Sequence, residues 1–514
     1  MTTTSTFNYD QSLYDFLKDG LEKDRPALTF WGKTVKGREL LAYIADFAAF
    51  LAGYGVKRGD VVTLVLPNLP VSVVAFYAVS YLGGVISVLH PLTPRDKILS
   101  EMDKTGSKVV VAFDKLHFDW DPEGVRLLLV GAGAFRSKLF AKGVDIVNRV
   151  GKCLSPRYES MKHGFVPHES QTGEDVCLYL HSGGTTGEPK TVVLTCHALN
   201  ASLPATVGIN PPPTDHECML MLLPLFHGFG VSVCMHAVLP YGVRIVPVPK
   251  FEPKRIARLL RRHHATLLAG VPALYSKLLS VGAFDRKGLS LTTAYCGGDV
   301  LDPAIKREFD RRMQDLGLPC RLYQGWGLAE GVAVCCANSA VWGDKPGSIG
   351  RPVEGVDVLV WTGERIADPN EKGELLLAGE TLMKGYLEGG ERWVTVDGKR
   401  YLATGDVGYR DEDGWLYYVG RNKRMSVFAG VNVYHQEVEQ QALALSSVKE
   451  CAVVETVADG KPCLALYYVG EIDKSDLIAA LSRTLNRYQL PRLIVRRAEL
   501  PKTPTGKVDY RRCE

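Results

Sequence analysis

Short apolar, β-branched runs alternate with amphipathic stretches from residue 61 to residue 326, and this alternation restricts the folds open to the chain. VVTLVL, VISVL, KVVVAF and LLLVG come first, followed by CMLMLLP, VRIVPVP, ATLLAGVP, LTTAYCGG and PCRLYQGW. Between several of them lie helical patterns such as EPKRIARLLRRHH (Glu252 to His264) and DPAIKREFDRRMQD (Asp302 to Asp315). Strands separated by helices predict parallel sheets covered by helices, here in two successive sheets. After about Gly350 the texture changes to turn-rich strands such as GWLYYVG, with Asp413-Gly414 marking a turn. From Arg421 onward come a helix (YHQEVEQQALAL), two strands (CAVVETV, CLALYYV), a helix (KSDLIAALSRTLNRY) and a loop-rich tail. That is a compact α+β module. The boundary is expected near GRNKR, where a sharp Gly420 meets a run of charge. A length of 514 residues also exceeds what one core serves.

One stretch imitates a membrane span. VSVVAFYAVSYLGGVISVL, Val71 to Leu89, carries no charge. Pro67, Asn68 and Pro70 precede it and Gly83-Gly84 interrupts it, so with VVTLVLP upstream it reads as buried strand, helix, turn, buried strand. The basic, partly amphipathic segment 135–164 reads as a solvated lobe, with weak peripheral contact to an anionic membrane as its alternative. The acid-bearing N-terminus has no apolar core of a secretory signal. The 12 cysteines show no CxxC pair, and one vicinal pair, Cys335-Cys336. This predicts reduced, buried thiols in a cytoplasmic protein, with neither disulfide framework nor zinc site. A net charge of +4 on so long a chain argues neither for nor against nucleic acid, and no nucleic-acid partner is expected.

YLHSGGTTGEPKTVVLTCHAL, Tyr179 to Leu199, runs from an apolar segment into glycines, hydroxyls and a lysine, and back. Glycines let backbone N–H groups approach a bulky anion, hydroxyls donate to its oxygens, and a lysine adds a mobile charge. The grouping suggests a polyphosphate cradle. It is not the P-loop, which ends in Gly-Lys-Ser/Thr, whereas Lys190 follows Glu188-Pro189.

Five further stretches attract notice: LPLFHGFG (Leu223 to Gly230), YQGWGLAE (Tyr323 to Glu330), ATGDVGYRDEDGWLYYVGRNKR, GVNVYHQEVE from Gly430, and LPKTPTGKVDYR. Each has an ordinary reading by itself. Lys507 would be a solvated lysine, Asp406 and Asp413 turn formers, Trp326 core packing and His227 a hydrogen-bonded core histidine. A lone Glu330 makes a poor cation site. Taken in order, the series resembles the adenylate-forming superfamily of acyl- and aryl-CoA synthetases, luciferases and peptide-synthetase adenylation domains, closest to the fatty acyl-CoA synthetases. HSGGTTGEPK is similar to its phosphate loop, YQGWGLAE to its aromatic-Gly-x-Thr-Glu motif, TGD and GRNK to its ribose and hinge motifs, and PTGK to its C-terminal lysine motif. The resemblance runs from about residue 10 over essentially the whole chain.

The resemblance implies an α/β fold. A large N-terminal ATP- and acid-binding domain (1–420) would hold two stacked αβ sheets plus a small β-barrel-like subdomain. A hinge (421–424) and a small mobile α+β C-terminal domain (425–514) would follow. It also implies roles. Ser182, Gly183, Gly184, Thr185, Thr186 and Lys190 would hold the β- and γ-phosphates of ATP. Glu330, with Thr186, would bind Mg2+. Gln324, Gly325 and Trp326 would line the adenine. Asp406 and Arg421 would take the ribose, Lys423 would mark the hinge, and Gly430 would face the thiol in the second half-reaction. Lys507 would bridge acid and nucleotide; Lys507, Thr186 and Glu330 form the catalytic set. His227, Gly228, Gly297 and Gly298 would line the acid pocket.

The implied activity is a cytoplasmic, ATP-dependent acid–CoA ligase, with coenzyme A as co-substrate. No aspartate stands in LPLFHGFG to pair with an amino group, so an apolar acid is expected, fatty or arylalkanoic. No carrier domain follows Glu514, so a diffusible acceptor is expected. Two departures qualify the resemblance. Ala329 replaces a threonine, and Val427 and Ala429 stand where many CoA ligases carry lysines. The alternatives are an acyl-AMP ligase delivering to an acyl carrier protein, and a non-catalytic adenylate-binding sensor.

Overall fold

A strand, a helix buried on every side and a second strand occupy Val61–Val65, Pro70–Tyr81 and Val85–Val88. This is a computed structural model that describes residues 7–117, 120, 122–131, 166–182, 190–211, 216–428, 431–458, 460–502 and 508–513. Every residue of the Pro70–Tyr81 helix is buried, which explains why it is apolar all round. It packs against the helices Leu13–Gly20 and Gly37–Gly53. One continuous core joins Val62 and Ile86 of one sheet to Met219 and Ile245 of another. The membrane-like stretch is therefore interior. No helix among the described residues is long and apolar enough to cross a membrane.

The first sheet has seven strands, in the order Gly385–Tyr386, Thr191–Thr195, Val176–His181, Val85–Val88, Val61–Val65, Val109–Phe113, Arg126–Val130. Its last five strands run parallel. Thr191–Thr195 returns antiparallel to Val176–His181, so the phosphate-cradle stretch lies between paired strands.

The second sheet has nine strands, in the order Arg351–Pro352, Cys336–Ala337, Leu322–Trp326, Thr293–Cys296, Leu267–Gly270, Cys218–Met221, Arg244–Pro247, Pro26–Phe30, Lys33–Lys36. The expectation of successive sheets needs one correction. The N-terminal hairpin 26–36 belongs to this later sheet, where Leu28 pairs in parallel with Ile245. Ala27, Leu28 and Phe30 are buried there, so the hairpin hides its apolar residues by extending the sheet.

Five antiparallel strands make a third, bent sheet around the 12-residue strand Lys399–Arg410. Leu416–Arg421 pairs with its second half, with a register shift at Val407/Gly408. Gly420 sits inside that strand, opposite Val407, and makes no sharp turn. The chain turns instead at Asn422–Arg424. Residues 433–494 enclose a core of their own, between the helices His435–Leu443 and Lys474–Leu481 and a three-stranded sheet.

Cys234, Met235 and His236 lie in a buried π-helical turn, Ser232–His236. The His236 ring is fully buried, 3.0 Å from the Tyr77 hydroxyl and 2.9 Å from Asn200 Oδ1. Burial pushes its pKa down to about 3. A histidine depressed on folding contributes stability above its unfolded pKa of about 6.5, and that contribution is lost as pH falls toward 3. His236→Gln should therefore flatten the acid limb. The slope of unfolding free energy between pH 6 and 4, read from urea titrations, should drop by up to about 1.4 kcal/mol per pH unit relative to the native chain. An unchanged slope would place the acid sensitivity elsewhere.

Candidate active site

Two charged clusters meet where the first sheet, the second sheet and the bent sheet converge. The first is built on strand pairing. Asp406 and Arg421 stand opposite each other on neighbouring strands, and Arg421 Nε donates to Asp406 Oδ1 at 2.8 Å. Trp326, at the end of Leu322–Trp326, donates from Nε1 to the other carboxylate oxygen at 2.8 Å. Asp406 is 3% exposed, and its charge is the main cause holding Arg421 above its ordinary pKa.

Glu330 centres the second cluster, on the short 3-10 turn Ala329–Gly331. Its Oε1 accepts from the Tyr386 hydroxyl at 2.6 Å. Burial, then the Glu330 charge, drives the phenol far up, so Tyr386 remains the donor. The same ring lies beneath Lys190 Nζ, 4.5 Å from its centroid. Lys190 also donates to the carbonyls of Gly389 and Gly390, at 3.1 and 3.2 Å. Thr191 binds both oxygens of Glu388 through its N–H and hydroxyl, at 2.9 and 2.8 Å. The strand that leaves the cradle is thus fastened to residues 385–390.

The turn bearing Glu330 is tightly enclosed. A Cβ on Gly327 would lie 1.3 Å from the Ala333 carbonyl oxygen. Val332, a β-branched residue, takes φ +66°, a strained backbone of the sort concentrated at functional sites.

Ser182 and Lys190 bracket the cradle. Ser182 N donates to the Lys190 carbonyl at 2.9 Å, and Ser182 Oγ accepts from Lys190 N at 2.9 Å. Gly183, Gly184, Thr185 and Thr186 lie outside the described residues, as do Ala429, Gly430, Lys507 and the basic segment 135–164. Gln324 uses its carbonyl to accept from Asn338 N and Nδ2, at 2.9 and 3.0 Å. Gly325 lies flat on this pairing, since a Cβ there would come 2.9 Å from Cys336 O. Trp326 joins a core with Cys335, Cys336, Ile349 and Leu375, so its ring packs in the interior while its N–H holds Asp406.

Of the residues the resemblance assigns to the acid pocket, Gly228 approaches the same turn. Gly228 abuts the Val332 carbonyl, with a notional Cβ at 2.6 Å. Gly297 faces Phe229 on one side and the Gly325 carbonyl on the other, at 3.5 and 3.4 Å from its notional Cβ, and Gly298 follows at φ +81°. His227 is exposed and caps the turn Gly228–Val231, its Nδ1 accepting from Phe229 N at 3.2 Å.

Lys423 is exposed beside the equally exposed Asn422. The residues flanking this pair are both held. Arg421 binds Asp406, and buried Arg424 binds Glu439, with Nη2 2.6 Å from Oε1. Arg424 also stacks on Tyr510, 3.6 Å from the ring centroid. Val427 is 57% exposed. Every described cysteine is buried and free, and burial pushes Cys335 up to about 12, so the vicinal thiols stay protonated.

Among the described residues no group of three or more His, Cys, Asp and Glu side chains could hold a metal. A single carboxylate still suits Mg2+, which is commonly held by one or two carboxylates together with phosphate oxygens and water. Sequence reasoning missed Tyr386 and Glu388. Their contacts depend on Gly385 pairing with Val193, across 192 residues, and no local pattern announces it.

A family model described as AMP-binding enzyme matches residues 20–387, and one for the AMP-binding enzyme C-terminal domain matches residues 437–507. A long-chain-fatty-acid–CoA ligase of Bacillus subtilis is 28% identical over 98% of this chain and 94% of its own length. A 2-succinylbenzoate–CoA ligase of Bacillus cereus is 26% identical over 95% of each chain. Among solved structures, o-succinylbenzoate coenzyme A synthetase from Bacillus subtilis matches with 22% identity in several complexes. With its acyl-adenylate intermediate it gives a TM-score of 0.82 over 98% of each chain. With ATP and magnesium ion it gives 0.80 over 98% of this chain and 99% of that one.

Proposed function

The chain belongs to the AMP-binding enzyme family, and we propose that it is an ATP- and Mg2+-dependent acid–CoA ligase acting on an apolar, fatty acid. The observation that carries the reading is the convergence just described. An Asp406–Arg421–Trp326 cluster built around the buried Asp406 and a Glu330–Tyr386–Lys190 cluster flank one turn, Gly228 abuts it at Val332, and Gly297 packs on the Gly325 carbonyl beside Trp326.

A carboxylate acylates poorly because hydroxide leaves poorly. In the first half-reaction its oxygen bonds to the α-phosphorus of ATP, the bond from that phosphorus to the pyrophosphate oxygen breaks, and acyl-AMP remains. Both reactants are anionic, so the site must supply positive charge where they meet. Ser182 and Lys190, with Gly183, Gly184, Thr185 and Thr186, hold the phosphates, and Lys507 lies between acid and nucleotide. Glu330 and Thr186 would hold Mg2+, whose chemistry here would be to supply further positive charge at the phosphates. Asp406, oriented by Arg421 and Trp326, would accept from the ribose hydroxyls. In the second half-reaction the thiol sulfur bonds to the acyl carbon, its proton passes to solvent, and the carbon–oxygen bond to AMP breaks. For this step residues 425–514 turn about 421–424, withdrawing Lys507 and presenting Gly430.

The tract Leu223–Leu239 contains no carboxylate, and Leu223, Leu225, Val231 and Val233 are buried in it. This supports an apolar acid. A panel of fatty, aryl and dicarboxylic acids assayed by pyrophosphate release should give the highest kcat/KM with medium- or long-chain fatty acids. Preference for a succinylbenzoate-type acid would overturn the substrate. The exposed apolar Val427, at a position where the resemblance implies lysine, favours a second reading, transfer to an acyl carrier protein. Supplying either CoA or a holo carrier protein decides it by which thioester forms. A sensor would show no acid-dependent pyrophosphate–ATP exchange.

Tyr386→Phe should leave the fold intact and free Glu330 Oε1 of its hydroxyl. Losing such a partner commonly costs about 10–100-fold in metal affinity. The Mg2+ concentration for half-maximal exchange should therefore rise about tenfold or more, with the KM for the acid unchanged. An unaltered Mg2+ dependence would remove Tyr386 from the site.

A further inference from the structure

An ion pair and an aromatic ring join the bent sheet to the segment that follows the 421–424 junction, and nothing in the reaction described above uses them. On the proposed division there, Lys372 stands on one side and Glu437 and Tyr434 on the other. Lys372 Nζ pairs with Glu437 Oε1 and lies 5.6 Å from the centroid of the Tyr434 ring.

Both ends of this contact are held from their own side. Lys372 directly precedes the strand Gly373–Gly379, and a Cβ on Gly373 would lie 2.5 Å from the Trp361 carbonyl oxygen of the neighbouring strand. The backbone beside Lys372 therefore has little room to follow a moving partner. Glu437 lies in the first turn of the helix His435–Leu443, where a carboxylate is favoured. Its other oxygen accepts from Gln489 Nε2 at 3.2 Å. Tyr434, just ahead of that helix, is buried with Val407 and Val419 of the bent sheet, and Tyr409 packs against them. One ammonium thus meets the charged and the aromatic group at the entry to the helix.

The orientation held in this way suits the first half-reaction. Gly297 and Gly298, which the resemblance assigns to the acid pocket, lead into Asp299. Burial raises Glu439 and Tyr510, and the nearby charge of Asp299 adds to both shifts. Tyr510 comes three residues after Lys507 in the chain, so this end of the small lobe stands beside the acid-side loop. Turning the lobe to present Gly430 carries Glu437 away while Lys372 stays with its strand.

We propose that Lys372 is a positioning residue, holding the small lobe for adenylate formation through Glu437 and Tyr434 and releasing it before the thiol step. The assignment rests on the acid–CoA ligase reading and its two orientations. Lys372 is 44% exposed, and removing one half-exposed partner changes little, so the test reverses charge.

Lys372→Glu and Glu437→Lys should each lower kcat for acid-dependent pyrophosphate–ATP exchange about tenfold, because like charges then face each other. The KM for ATP and thioester formation from supplied acyl-AMP should not move. The double variant Lys372→Glu, Glu437→Lys should regain exchange to within about threefold of the native chain. A second readout needs no chemistry. Trypsin should cut the junction at exposed Lys423 about tenfold faster in either single variant, and at the native rate in the double. Native exchange in both single variants, equal loss of both half-reactions, or a double variant no better than the singles would overturn the role. If the native chain shows no acid-dependent exchange, the ligase reading fails, and the cleavage rates alone then decide whether Lys372 holds the lobe.

Discussion

Lys507→Ala should reduce acid-dependent pyrophosphate–ATP exchange by about 10²–10³-fold or more, the usual cost of removing one well-placed charge-stabilising donor. Thioester formation from supplied acyl-AMP should survive largely intact. The contrast follows from the chemistry. Attack on the α-phosphorus brings two anions together and needs a cation between them, whereas attack on an acyl carbonyl expels AMP and does not. On the proposed alternation Lys507 is withdrawn before the thiol reacts, so its loss should not reach the second step. Equal loss of both half-reactions, measured separately by labelled exchange and by thioester release, would sink both the role and the alternation.

Gly327→Ala should be nearly as damaging for a different reason. The added carbon would sit 1.3 Å from the Ala333 carbonyl oxygen, inside any tolerable contact, and the nearest atoms, of Ala333 and Val334, are all backbone. The turn must open to accept it. Overpacking of this sort costs about 1–3 kcal/mol and occasionally more, and Glu330, three residues on, moves with the turn. Exchange activity should fall at least about 100-fold, a loss comparable with that of one electrostatic donor, and the thermal midpoint should drop. Near-native activity and midpoint would show that the turn has slack its geometry denies.

How much of this was legible in the sequence depended on the distance over which each feature is encoded. The nine strand runs between 61 and 326 all form strands, because strand and helix periodicity is local. The buried helix Pro70–Tyr81 was legible from its flanking prolines and glycines. The hairpin 26–36 was not placed in its sheet, since Leu28 finds Ile245 only in three dimensions. Tyr386 escaped for the same reason: a lone tyrosine after glycine says nothing until its strand lies beside Val192. Gly420 reads as a bend from its sequence alone, yet it lies within a strand opposite Val407, a pairing made only in three dimensions. The ordinary reading of Trp326 as core packing holds, for its ring fills a core, and its N–H also holds Asp406.

The two anchored arginines at the junction have a mechanical consequence. On the proposed division at 421–424, Arg421 is held by Asp406 on one side and Arg424 by Glu439 on the other, leaving only Asn422 and Lys423 between the two pairs. Two residues offer about four soft torsions, too few for a tether and enough for a swivel. On the proposed alternation, the small lobe therefore behaves like a door on a pin. Its axis is set by two ion pairs, so whichever face it turns inward arrives in register without a search.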